Sequence, residues 1–67
     1  MNKQLFKATA LLAGLNMKNI AEALGINTTT LYRKLNNESD FTRAEIQSLR
    51  KLLKITPQEV ENIFFAD

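Results

Sequence analysis

The run Asn27-Thr28-Thr29-Thr30, followed closely by Tyr32, Arg33 and Lys34, concentrates hydrogen-bonding side chains in one short stretch. Hydroxyls and the asparagine amide both donate and accept, while a guanidinium presents a rigid fork of donors. This is the chemistry of reversible recognition rather than bond-making. The chain has no histidine and no cysteine, so it lacks an imidazole to move protons near neutrality, a thiolate nucleophile and a zinc-ligand set. Its two glycines cannot form a phosphate-cradling run, and Glu59 and Glu61 are better explained by helix capping and solvent than by a paired acid and base. We therefore expect no catalysis, no cofactor and no bound metal. The threonines pose a question of their own, because branching at Cβ makes them mediocre helix formers just where a helix begins.

The elements that would position these residues must fit into 67 residues, enough for one domain (1–67) with one core and little stability to spare. A content of 45% hydrophobic and 24% charged residues is that of a globular chain. Without cysteines, stability must come from packed helices, helped by a second copy of the chain if one binds. Lys3 and Lys7 ahead of ATALLAGL imitate a short signal peptide, but the apolar part is brief and runs on into an amphipathic pattern. No stretch approaches the ~20 apolar residues of a membrane span. The expected location is the cytoplasm, in a bacterial or phage setting. Charge is uneven: residues 1–37 hold five basic residues against one acidic, net +4, and residues 38–67 hold four basic against six acidic, net −2. Such polarity suits an oriented contact with a polyanion, and a merely solvated surface carries it equally well.

Punctuation divides the chain into five helices. Asn2 caps a first helix over residues 3–13, with Gly14 in the C-cap position. Phe6, Thr9, Ala10 and Ala13 share one face, and Leu5, Ala8 and Leu12 form a second apolar stripe beside it. Asn16 caps a second helix, 17–24, with Ile20, Ala21 and Leu24 inward, and Gly25 ends it. Asn27 caps a third, 28–36, with Leu31 and Leu35 inward and Ile26 at its entrance. Thr42-Arg43-Ala44-Glu45 fits a capping box with Phe41 and Ile46 as hydrophobic staple, starting a fourth helix that buries Ile46, Leu49 and Leu53. Thr56-Pro57-Gln58-Glu59 repeats the box, with Ile55 and Val60 as staple and Val60, Ile63 and Phe64 inward. Residues 26–32 also alternate like a strand, but a lone strand would leave its edge groups unpaired. The fold class expected is all-α and compact.

In the spacing Ile20-Ala21-x-x-Leu24-Gly25-Ile26-x-x-x-x-Leu31, a small residue marks a close helix crossing and a glycine marks a tight turn. Two short helices so joined form a helix-turn-helix. The segment GLNMKNIAEALGINTTTLYRKLN resembles the lambda-repressor-like, Cro-like helix-turn-helix proteins of phages and bacteria, and the five-helix layout extends the resemblance over nearly the whole chain. Met17 departs from it, standing where many relatives carry a glutamine that anchors the second helix to phosphate.

The resemblance implies a five-helix lambda-repressor-like domain whose third helix enters the major groove of double-stranded operator DNA, N-terminus first. It places Thr28, Thr29 and Arg33 toward bases, with Tyr32 beside them. Tyr32 has flanking phosphate or partial burial as alternatives, and Arg33 has phosphate as its own. Threonine hydroxyls would meet base edges and their methyls the thymine C5-methyl, while Arg33 has the reach for guanine O6 and N7. Phosphate contacts would come from Asn16, Met17 and Lys18 at the second helix, from Asn27, Thr30 and Lys34, from the loop Asn36-Asn37, and from Thr42 and Arg43. Each has a plainer alternative: Asn27 as cap, the threonines as solvent-facing residues, Lys34 as a solvated charge. The function implied is a Cro-like repressor acting by operator occupancy, with no small-molecule ligand.

Leu5, Leu11 and Leu12 exceed what one core stripe needs, and Ile63-Phe64-Phe65 adds apolar surface near the other end. Phe64 is expected inward, and Phe65 is the candidate for a homodimer contact. A protein-interaction module of antitoxin or anti-repressor type, using the threonine face against a protein, is the alternative function.

Overall fold

Side-chain caps open all five helices. In the computed structural model, which describes residues 1–65, these are α1 (Lys3–Leu12), α2 (Met17–Leu24), α3 (Thr28–Leu35), α4 (Arg43–Leu53) and α5 (Pro57–Phe64). Asn2, Asn16, Asn27, Thr42 and Thr56 each accept the backbone N–H three residues on, at 2.7 to 3.2 Å. Each such cap is worth about 1 kcal/mol, because it satisfies a donor the helix cannot. Reciprocal boxes form at Thr42/Glu45 and Thr56/Glu59 as expected. A third, unanticipated, joins Asn16 and Asn19: the Asn16 N–H donates to Asn19 Oδ1 at 3.1 Å. The alternating 26–32 segment is a turn leading into helix, and all regular structure among the described residues is helical.

Four helix ends share one chemistry. Gly14, Gly25, Asn37 and Lys54 stand in the left-handed backbone region, with φ between 55° and 75°. Beyond each, an N–H folds back onto a carbonyl five residues earlier: Leu15 to Ala10, Ile26 to Ala21, Glu38 to Arg33 and Ile55 to Arg50, at 2.8 to 3.2 Å. This is the Schellman closure, and its following residue often makes an apolar contact. Here Leu15 and Ile26 pack against the core and Ile55 is buried in it. The first helix thus ends at Leu12 with Ala13 as cap and Gly14 just beyond, and the third ends at Leu35 with Asn36 as cap, each one residue short of the expected end. Lysine is strained at φ 55°, so Lys54→Gly should stabilise the fold by about 1 kcal/mol, read as a raised Tm. A lowered Tm would show that the Lys54 stem contributes packing that outweighs its backbone strain.

The core draws on every helix: Phe6 and Ala10, Ile20 and Ala21, Leu31 and Leu35, Leu49 and Leu53, and Ile55 with Ile63. Ala21 is 2% exposed, on a helix that packs against both α3 and α4. Phe6, Phe41 and Phe64 form a triangle, with ring centroids 5.4 to 6.2 Å apart and Phe64 edge-on to both partners. Phe64 therefore lies inward, as expected. Leu24 and Val60 are half-buried against the core, and Ile46, expected inside it, is also only half-buried. On α1, Ala13 faces solvent although it shares the face of Phe6 and Ala10, while the surplus leucines lie outside the core as expected, Leu11 and Leu12 being 77% and 89% exposed. A helix flanked on only part of its circumference buries one arc, so a wide apolar arc leaves its second half in water.

Candidate nucleic-acid interface

The α3 tip is held from beneath and left open above. Leu31 and Leu35, 0% and 1% exposed, fix its inner face, while Thr28, Thr29 and Arg33 stand on its exposed side and Thr30 at the margin. Thr29 and Arg33 are one turn apart and so share a row. Asn27 Oδ1 accepts the Thr30 N–H at 2.7 Å, and the Leu31 N–H bonds the Asn27 carbonyl at 3.1 Å. Thr28 and Thr29 keep first-turn N–H groups without an intrahelical partner, and these, with the dipole, attract an anion. The amide N–H₂ of Asn27 also remains a donor, so capping and outward contact are compatible.

Lys34 behaves differently from the expectation of a phosphate contact. Its ammonium lies 3.1 Å from Glu45 Oε1, donates to the Asp40 carbonyl at 2.9 Å and sits 5.7 Å from the centre of the Phe41 ring. With the side chain only 10% exposed, this lysine binds α3 to α4 rather than facing outward. Its partner Glu45 also accepts the Thr42 N–H at 2.8 Å. Partial burial pushes the Glu45 carboxyl upward, but the Thr42 N–H and hydroxyl and the Lys34 ammonium outweigh it and hold the group below the usual glutamate range. A carboxyl lowered in the folded state stabilises the fold above its unfolded pKa, and that contribution disappears as pH falls through the folded value. Stability should therefore decline below about pH 4.3, the ordinary glutamate value. In Glu45→Gln that decline should be smaller, as followed by urea melts across pH. An unchanged pH dependence in the variant would remove Glu45 from this role.

The other expected phosphate residues divide by what already occupies them. Met17 packs against the core rather than facing outward, because its apolar thioether stem gains more there than beside an anion. Lys18 next to it is exposed. The Asn16 and Thr42 side-chain oxygens are taken by their caps, leaving the Asn16 amide N–H₂ and the Thr42 hydroxyl proton as donors. Asn37, in the left-handed turn at φ 62°, and Arg43, at the start of α4, are exposed. Asn36 and Tyr32 are also exposed, and each is touched by a residue absent from the expected set. Lys3 Nζ donates to Asn36 Oδ1 at 2.7 Å, and Lys7 Nζ lies 5.7 Å from the centre of the Tyr32 ring. Their spacing of four residues on α1 was the only signal available in the sequence, and it did not name a partner.

A groove of about 510 Å³ is lined by Phe41, Arg43, Ile46, Arg50, Val60 and Phe65. Phe65 is 60% exposed there. Among the described residues no group of His, Cys, Asp or Glu could hold a metal ion, and no helix is long and apolar enough to cross a membrane. No protein-family model, curated protein or solved structure matches the chain.

Proposed function

We propose that the protein is a sequence-specific regulator of the lambda-repressor-like, Cro-like helix-turn-helix type, binding operator duplex with α3 in the major groove and α2 across the backbone. One observation carries the reading: Thr28, Thr29 and Arg33 are presented together on the open face of a helix whose other face is locked by Leu31 and Leu35. A threonine-rich first turn costs helix stability, a few tenths of a kcal/mol per residue, and contact with base edges supplies a reason to keep it. Repression follows from occupancy of the operator. A second copy belongs to this reading, since such domains bind two half-sites about 34–36 Å apart on the DNA, and the exposed Phe65 is its candidate contact.

Selection of bound sites from random duplexes, followed by gel shifts over a salt series, tests this. The expected result is one enriched motif and an affinity that falls steeply with salt. Sedimentation with and without the selected duplex reports the second copy. If no duplex is bound even at low salt, the reading fails and the exposed face is left to a protein partner, the antitoxin or anti-repressor alternative.

A further inference from the structure

We infer that one flank of α1 belongs to the same interface: Lys3 and Lys7 form a cationic shoulder that orients Asn36 and Tyr32 and binds the phosphodiester backbone beside the groove. The inference rests on the DNA-binding reading and adds two residues to it. Lys3 and Lys7 are one turn apart on α1, and Tyr32 of α3 lies one turn before Asn36, the cap of that helix. Lys3 meets Asn36 and Lys7 meets Tyr32, so the two rows run antiparallel and touch at two successive rungs. Charge accounting points the same way. Of the five basic residues in 1–37, Lys34 is turned inward to Glu45, leaving Lys3, Lys7, Lys18 and Arg33. Arg33 is the one cation that α3 itself still presents, so other elements must supply most of the attraction for a polyanion, and α1, through Lys3 and Lys7, touches α3 beside the site.

Neither rung is needed to hold the fold. Lys7, Tyr32 and Asn36 are exposed and Lys3 is half-buried, and near the surface a polar tie or a cation over an aromatic face contributes on the order of 1 kcal/mol or less. What the rungs do is fix direction. The Lys7 ammonium against the Tyr32 ring restricts the ring while leaving its hydroxyl free to bond. Lys3 occupies the Asn36 carbonyl oxygen and leaves the amide N–H₂ as the outward group. Each ammonium carries three N–H donors, so one engaged with Asn36 or a ring keeps others for a phosphate oxygen.

The test uses the full chain and the duplex recovered by site selection. Lys3→Met and Lys7→Met keep the stem length and helix propensity while removing the charge. The logarithm of the binding constant is followed against the logarithm of salt from about 50 to about 200 mM, where each phosphate contact contributes a slope of about −0.9. Each variant should lose about 0.9 of the slope, and the double variant about twice that, with a loss of affinity that is uniform across operator variants. Lys7→Met should also shift the Tyr32 ring-proton resonances of the free protein. Unchanged slopes overturn the shoulder, whether or not affinity falls. Arg33→Ala separates this failure from failure of the parent reading. If that variant loses base preference while both methionine variants keep the wild-type slope, the shoulder alone is wrong. If the wild type binds no duplex, both fall.

Discussion

Phe6→Ala should remove a large part of the stability of the fold. The ring is fully buried and meets Phe41 and Phe64 at centroid distances of 6.2 and 6.1 Å, so it joins α1 to the loop ahead of α4 and to α5. Truncating a buried phenylalanine costs about 3–5 kcal/mol, through lost transfer energy and the cavity left behind. A 67-residue domain, at about 0.05–0.15 kcal/mol per residue, has only about 3–10 kcal/mol in total. The loss therefore takes from about a third to the whole of the stability. Urea melts followed by far-ultraviolet circular dichroism measure it, and Phe6→Leu, which keeps most of the volume, should retain a cooperative transition at a lower midpoint. A loss below about 1 kcal/mol in Phe6→Ala would mean that the remaining rings close over the gap, against the packing density of native cores.

The locally encoded features of the fold were legible in advance. A helix start is set by one side chain and an N–H three residues away, so Asn2, Asn16, Asn27, Thr42 and Thr56 could be read directly and all five cap as expected. Inward faces followed from spacing where a helix has neighbours on one side, as with Leu31 and Leu35 or Leu49 and Leu53. On α1 spacing set the buried Phe6 and Ala10 apart from the surplus Leu11 and Leu12, but it extended the inner face to Ala13, which is exposed. The Asn16/Asn19 box falls outside the usual signature, which has glutamate or glutamine at the third helical position, yet the shorter asparagine accepts the Asn16 N–H at 3.1 Å.

What could not be read lies in pairs distant in sequence. Lys34 looked like a free cation, and although Glu38 and Asp40 follow it in the chain, neither carboxylate pairs with it among the described residues. Its partner Glu45 lies across a loop, on the next helix, and already had a complete local role in the Thr42 box. One carboxylate thus serves a cap and an interhelical bridge. The consequence reaches the candidate site: the outward charge of α3 falls to Arg33 alone, and Lys3 and Lys7, which no local pattern joins to α3, take positions beside it. The exposed threonines were legible for the opposite reason, since Leu31 and Leu35 settle which way they face.

Arg33→Ala should weaken binding to the selected duplex by about 1–3 kcal/mol, roughly 5- to 150-fold, and erase the preference at one base position. Its backbone is fixed, since its carbonyl accepts the Glu38 N–H at 2.8 Å in the helix-terminal closure. Its side chain is exposed and forms no ion pair among the described residues. Alanine is a good helix former, so the substitution should leave the Tm nearly unchanged and the effect can be assigned to binding. Arg33→Lys sharpens the test: lysine keeps the charge but cannot present two parallel N–H donors to guanine O6 and N7. If Arg33 reads a base, the lysine variant keeps most of the salt dependence while losing discrimination. If Arg33 meets phosphate, the alanine variant loses affinity equally for every operator sequence, as is expected of Lys18→Ala, and the lysine variant binds almost as the wild type does. A panel of single-base operator variants distinguishes the two, because only a base contact makes the loss depend on which base pair is changed.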